Sequence, residues 1–415
     1  MSTLPAGYRT VVVPPERIEE FRSTDQLAFA IAPDPEVEEA VPFAIPAGRV
    51  MAVEGPDGTF AASHGSYAFA MPVPGGTVAC SGLTWVGVRP DHRRRGLLTS
   101  MIGTHVERSL DRGEPVSALF AAETAIYGRF GYGSAADDAR LTLPRRAALR
   151  PVPGSEALTV RLERVEAARH AALVEDLHVR AGAGRPGWMP RATPELSART
   201  VADPPAWRQG HEPLLLVTVL DGDDVRGLAL FARKESWGEG GPAHTVKVRQ
   251  ASALDAAAAH RLWSFLLDLD LTTSVETPML AVDDALLHLL VDPRPTRRRL
   301  NDNLWVRLLD LPTALTARRY AAGTDLVLEV TDALLPANAG RWRFTVDGEG
   351  GAEVARTDVD ADARLDVREL GALYLGGRSA TALASAGLVA GSRPALDRLT
   401  AAFASTVAPV CPWVF

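Results

Sequence analysis

The chain has 415 residues, with 44 Lys and Arg against 51 Asp and Glu, so its formal net charge is −7. At roughly 100 to 200 residues per domain, this length excludes a single small module and predicts several domains, each with its own core. The mild acidity excludes a broad basic field for nucleic acid, and no apolar run approaches the ~18 residues that span a bilayer.

The opening MSTLPAGYRTVVVPPERIEE has neither a basic n-region nor an apolar h-region, which predicts a cytoplasmic rather than a secreted protein. Cys80 and Cys411 are too few to staple such a chain or to hold a metal, and both are expected as reduced thiols. Short strands come first, within 51–72 and at TWVGVR (84–89). A helix is predicted over 97–113, where Leu98, Met101, Ile102, His105, Val106 and Ser109 recur near period 3.6, ending at Gly113. The strand PVSALFAAE (115–123) then leads into the glycine-rich turn IYGRFGYG (126–133).

A boundary is expected in PRRAALRPVPGSEA (144–157), where Pro, Gly and Arg occur without periodicity. A second α/β unit follows, with a helix near 165–181, strands at 214–220, 225–233 and 244–250, and a helix over 254–270. Its order echoes the first unit, but no basic glycine loop joins its last strand to the closing helix. The next break lies in VDPRPTRRRLNDN (291–303), whose Arg297, Arg298 and Arg299 read as a solvated linker face before an anion site. The remainder, with strands at 325–332 and 341–348 and a helix over 395–404, is α+β and carries no metal, nucleotide or nucleophile motif. The three expected units are 1–150, 151–297 and 298–415.

Chemistry is concentrated in WVGVRPDHRRRGLLTSMI (85–102), where a strand, a turn and a helix start succeed one another. Backbone N–H groups at a helix N-terminus hold pyrophosphate, a glycine admits the main chain closely, and arginines neutralise charge. A solvated basic turn is the competing reading, and the preceding strand weighs against it. The segment Arg93-Arg94-Arg95-Gly96-Leu97-Leu98 resembles the pyrophosphate loop of the GNAT acyl-CoA N-acyltransferases, with Leu98 where a small residue is usual. With IYGRFGYG, ALYLGG (372–377), AAFAS (401–405) and a terminal Phe415, the chain resembles the enhanced intracellular survival (Eis) family of acetyltransferases along nearly its whole length.

That resemblance implies an α/β (α+β) architecture of two tandem GNAT-like domains and a C-terminal sterol-carrier-protein-like domain, with acetyl-CoA bound only in the first. It implies that Val86, Gly87 and Val88 pair with the pantetheine arm, that the loop is Arg94, Arg95, Gly96, Leu97, Leu98 and Thr99 flanked by Arg93, and that Ala122 meets the cofactor without a hydroxyl to offer. Tyr127 matches the general acid, with Tyr132 as the nearby rival phenol, and the carboxylate of Phe415 would help to take a proton from the amine. The bland alternatives are a buried aromatic before a turn and a hydrophobic plug. The implied activity is direct acetyl transfer to a primary amine of a small molecule, aminoglycoside-like or otherwise, by a homo-hexamer without metal, nucleic acid or membrane. The alternative is a non-catalytic CoA- or lipid-binding protein. Aminoglycoside-modifying relatives carry acids just after an Ala-Phe pair and at the penultimate position, where this chain has Ala28-Phe29-Ala30-Ile31, with Asp25 and Asp34 outside the matching position, and Val414. A pocket of Phe29, Ile31, Trp413 and Val414 is expected to prefer a less highly charged amine. His64, His92 and His105 read as structural, and the acidic run Glu36 to Glu39 as a solvated loop or helix start.

Overall fold

Valine-, alanine- and glycine-rich stretches with few charges build the first sheet in the computed structural model of the chain, which describes residues 4–415; residues 1–3, where the segment read for a leader begins, lie outside the description. The strands are β1 (Arg9–Val12), β2 (Val50–Glu54), β3 (Phe60–Val73), β4 (Gly76–Val88), β5 (Val116–Leu119) and β6 (Gly133–Ser134). The helices are α1 (Ile18–Phe29), α2 (Pro35–Ala40), α3 (Leu97–Asp111) and α4 (Thr124–Tyr127). Asp34 accepts the N–H groups of Glu36 and Val37, so the acidic run is the start of α2. Strands β1 to β4 are antiparallel neighbours, and α3 is the crossover that brings β5 parallel to β4.

The second unit comprises β7 (Asp137–Arg140), β8 (Thr142–Pro144), β9 (Thr159–Arg164), α5 (Ala167–Ala181), α6 (Pro194–Val201), α7 (Pro205–Arg208), β10 (Leu215–Asp221) and β11 (Asp224–Lys234). It continues through a small hairpin, β12 (Trp237–Gly238) and β13 (Gly241–Pro242), to β14 (His244–Ala253), α8 (Ala256–Leu267), β15 (Thr272–Glu276), β16 (Leu280–Ala281), α9 (Ala285–Leu289) and β17 (Arg299–Asp302). Its sheet runs β8-β15-β14-β11-β10-β9, with β14 and β15 parallel as β4 and β5 are.

The next strand, β18 (Trp305–Leu308), was expected in the third unit. It instead enters the first sheet, whose order is β1-β2-β3-β4-β5-β18-β6. Pairing on both flanks covers the edge that β5 would otherwise leave open. In exchange, β7 pairs with β16 and β17.

The third unit has α10 (Leu311–Thr316), β19 (Thr324–Thr331), β20 (Gly340–Val346), β21 (Ala352–Arg356), β22 (Ala363–Asp366), α11 (Val367–Leu373), α12 (Ala380–Ser385), β23 (Val389–Gly391) and α13 (Arg393–Phe403). Its sheet runs β21-β20-β19-β22-β23. The rings of Tyr320, Phe344 and Phe403 meet at 4.9 to 5.6 Å in its interior. Buried Arg318 donates to the carbonyls of Tyr374 and Phe403 beside them. Arg378 grips Asp137 with two hydrogen bonds of 2.6 Å, fastening this unit to β7 of the second. Among the described residues no helix is long and apolar enough to cross a membrane, and both cysteines are buried and free.

Candidate active site

Parallel pairing of β4 with β5 covers only Cys80–Val116, Ser81–Ser117 and Gly82–Ala118, after which the strands part. The backbone of Leu83 to Val88 therefore has no strand partner on its β5 side among the described residues. On the other side Gly87 and Val88 pair with Ser63 and Ala62, and a bulge skips Trp85 and Val86. Trp85 sits at φ 54°, its carbonyl accepts from Ser63 at 3.3 Å, and its ring stacks on Phe21 at 5.6 Å. The result is a forked sheet edge with free backbone groups, at the residues expected to meet a pantetheine arm.

At the far end of β4, Arg93, Arg94 and Arg95 are exposed and α3 begins at Leu97. The residue before it, Gly96, has φ 79° and no side chain to cap the helix, so the first-turn N–H groups, those of Leu97, Leu98 and Thr99, stay available to an anion. The arginines are not equivalent. Arg95 bonds to the Tyr8 hydroxyl and to the Asp91 carbonyl, and Arg93 reaches the Ala28 carbonyl at 3.5 Å. Arg94 makes no side-chain hydrogen bond among the described residues. Leu98 is half-buried against the same two apolar clusters as Val86, which explains an apolar residue at the last loop position. The second unit has α8 where the first has α3, but there Asp255 caps the helix, accepting from Ala258 N–H at 2.8 Å and from Arg226 at 2.6 Å. Its own carboxylate thus occupies the first-turn N–H group that α3 leaves open.

Beyond β5 the sequence was expected to stay extended to residue 123. The strand ends at Leu119, the last residue with a β18 partner, and Ala122 lies exposed in the bend that follows. Tyr127 closes α4 and is buried among Leu83, Ile102, Leu119 and Phe130, with Val86 and Leu98 alongside. Its hydroxyl makes no hydrogen bond among the described residues, and burial, aided by Glu123, pushes its pKa up to about 12. Tyr132 differs. It is fully buried and its hydroxyl is 2.8 Å from Ser117 Oγ, which in turn contacts His105 and the Ser81 carbonyl.

Arg307 of β18 holds this turn. It donates to the Phe130 carbonyl from one nitrogen and from another to both carboxylate oxygens of Asp332 at 2.8 and 2.9 Å, with both side chains buried. A Cβ on Gly131, at φ 81°, would fall 1.6 Å from that guanidinium, so only glycine fits there.

The chain's last residues are docked. Cys411 exchanges backbone hydrogen bonds with the Asn303 amide at 2.8 and 3.0 Å, and Trp413 Nε1 donates to the Met189 carbonyl at 2.7 Å. The Phe415 ring lies against Phe69 at 4.9 Å and Phe120 at 5.3 Å, and its Cε2 is 3.1 Å from where a Cβ on Gly82 would be. Phe415 thus stands at the vertex of the β4/β5 fork. It also lines a cavity of about 790 Å³ with Tyr67, Trp413 and Val414, whose other wall comes from α6, β14 and the β17 approach.

Phe29 and Ile31 do not line it, contrary to expectation. The inner face of α1 carries Phe21, Thr24, Asp25 and Ala28, so Phe29 points about 100° away, and Ala30 in the left-handed region ends the helix. Both residues are exposed. Asp25 was placed outside the matching position by sequence. It is buried, its Oδ1 has no partner, its Cα is 3.7 Å from the Cβ position of Gly87, and desolvation raises its pKa to about 6. Periodicity of α1 measured from Phe21 was the signal that pointed it inward. His64 is buried and held neutral, its pKa pushed down to about 3, and among the described residues no cluster of His, Cys, Asp and Glu is arranged for a metal.

Residues 12–135 and 187–308 each match the acetyltransferase (GNAT) domain, and residues 311–412 match the sterol carrier protein domain. An uncharacterized N-acetyltransferase of Streptomyces avermitilis is 42% identical over 355 residues, 85% of this chain and 86% of that one. The N-acetyltransferase Eis of Mycobacterium tuberculosis is 36% identical over 350 residues, 81% of each chain. The chain belongs to the Eis family of GNAT N-acetyltransferases. The crystal structure of Eis1 from Mycobacterium abscessus, 30% identical, matches with a TM-score of 0.81 over 98% of this chain and 100% of that one. A GCN5-related N-acetyltransferase from Anabaena variabilis, 20% identical with a TM-score of 0.82, shares the fold over 98% of this chain and all of its own. The expected α/β architecture of two GNAT domains and a sterol-carrier-like domain is therefore the observed one. Acetyltransferases of this Eis-like kind take their acetyl group from acetyl-CoA.

Proposed function

We propose that the chain transfers acetyl directly from acetyl-CoA to a primary amine of a small molecule, using the fork of β4 and β5 in the first GNAT domain. The observation that carries this is the fork itself, which joins an uncapped helix N-terminus at one end to Phe415 at the other. Residues fit the cofactor. The N–H groups of Leu97, Leu98 and Thr99 and the Arg94 guanidinium would hold its pyrophosphate, and the free edge of Val86 to Val88 its pantetheine arm. When bound, acetyl-CoA supplies an acetyl thioester. The amine nitrogen bonds to the carbonyl carbon as the carbon–sulfur bond breaks. Tyr127 keeps its proton at neutral pH and gives it to the departing sulfur, while the carboxylate carried by Phe415 draws a proton from the amine through water. No cysteine is placed for a covalent route, since Cys80 and Cys411 are fully buried and burial raises both thiol pKa values. The rings of Tyr320, Phe344 and Phe403 and the buried Arg318 packed inside the third unit weigh against a lipid carrier. Acetyl-CoA is mixed with a panel of primary amines and free thiol is followed. Thiol release that requires an amine is expected, whereas tight CoA binding without turnover on any amine overturns the reading.

A further inference from the structure

The walls of the 790 Å³ cavity bear eight Arg or Lys side chains against three side-chain carboxylates and the carboxylate of Phe415, in a chain whose net charge is −7. Two of the three side-chain carboxylates are already neutralised. Asp203 pairs with Arg208 at 2.9 Å and Arg249 at 3.6 Å, and Glu212 with Arg233 at 2.6 Å. The third, Glu276, lies opposite Lys247 in the β14/β15 register. Arg199, Arg297 and Arg299 remain, and none makes an ion pair or side-chain hydrogen bond among the described residues.

Deeper in, Arg191 is 3% exposed, and its guanidinium sits 5.2 Å over the Trp413 ring. Glu175 and Gln250 each accept from it at 3.1 Å, yet its buried Nε has no partner. Arg199 connects this charge to the reaction end. Burial raises the Tyr67 pKa and the nearby Arg199 cation opposes that rise, while the Tyr67 ring meets Phe415 edge-on at 6.4 Å.

Cations gathered in a low-dielectric concavity attract one sign of ligand and repel the other. We propose that this cavity is the acceptor pocket and that it selects amines bearing an anionic group, a carboxylate or a phosphate, whose amine reaches Phe415 while the anion lies among Arg199, Arg297 and Arg299. This rests on the acetyl-transfer reading for the fate of the amine, but the anion preference stands on the cavity alone. A polycationic acceptor is disfavoured by the same charges, not by the apolar contacts with Phe29 and Ile31 that the sequence suggested.

The test uses phenethylamines carrying a para carboxylate, phosphate, carboxamide or aminomethyl group. Their Kd values are measured by calorimetry on the full chain with CoA present, and their kcat/KM by acetyl transfer. Both anions are expected to bind about tenfold or more tighter than the carboxamide, the low end for one charge-assisted hydrogen bond, with the aminomethyl compound weakest. The order of the two anions tells carboxylate from phosphate acceptors. The variant Arg199→Gln with Arg297→Gln should bring anion and carboxamide to equal affinity, and Arg297→Glu, at an exposed position, should favour the aminomethyl compound. Equal binding of all four probes, no binding of any, or tightest binding of the aminomethyl compound overturns the proposal. Anion-selective binding without acetyl transfer to any probe upholds the anion pocket and counts against the transferase reading.

Discussion

Two phenols, Tyr127 and Tyr132, lie five positions apart, and only their surroundings separate them. Tyr132 is spent on Ser117, whereas Tyr127 faces the residues of the fork with its hydroxyl uncommitted. Tyr127→Phe is therefore expected to lower kcat by roughly 10² to 10⁴, the usual worth of a general acid, with CoA affinity retained. Arg94→Ala should do the reverse, weakening CoA in an equilibrium titration, because its charge acts in the ground state. The sequence made Tyr127 legible through IYGRFGYG, but the commitment of Tyr132 depended on a partner fifteen residues away.

Asp25 is a second case. A carboxyl with a raised folded pKa binds protons that the unfolded chain has lost between about pH 4 and 6, so its presence costs stability as pH rises through that window. The cost is absent below it and complete above it. Asp25→Asn should raise the thermal midpoint at pH 8, by an amount worth about 2–3 kcal/mol, and leave it little changed near pH 4. A gain equal at both pH values would show that Asp25 is ionised in the folded chain at low pH.

The two helix starts, α3 and α8, show how local sequence can decide a ligand site at the scale of an element. Gly96 leaves the first turn of α3 open, and Asp255 fills that of α8. The glycine before α3 was read in the chain, whereas the Asp255 cap was not, although a capping carboxylate is a local signal. Calorimetry with CoA should accordingly give one site per chain, and two sites would contradict the self-capped reading of α8. The end of β5 and the place of β18 were not readable, because both depend on pairing between segments nearly two hundred residues apart. Arg307 carries the consequence. Removing one member of its buried pair with Asp332 strands the other charge, so Arg307→Met should cost about 3–5 kcal/mol in urea unfolding. It should also reduce kcat by loosening the turn that presents Tyr127.

Across the whole molecule, the site is assembled from distant parts of the chain. The first unit gives the fork and the open start of α3, the second gives the cationic cavity wall, and the third returns the chain to the fork through Asn303, Cys411 and Phe415. The apolar ending foretold docking, since leaving Trp413 and Phe415 wet is costly, but not which walls they would meet. Arg297 to Arg299, read by sequence as a solvated linker, became cavity wall at Arg297 and Arg299 only once the second unit folded against the tail. The same folding left Phe29 and Ile31 outside. The claim that joins these parts is direct transfer at the fork, and a rapid-quench single turnover tests it. One equivalent of acetyl-CoA is mixed with excess chain, with and without amine, and the chain, CoA and acetylated amine are weighed by mass spectrometry at each time. The account predicts that thiol and acetylated amine appear together, only with amine present, and that the mass of the chain never rises by an acetyl group. Thiol released without amine, with acetyl retained on the chain, would contradict it.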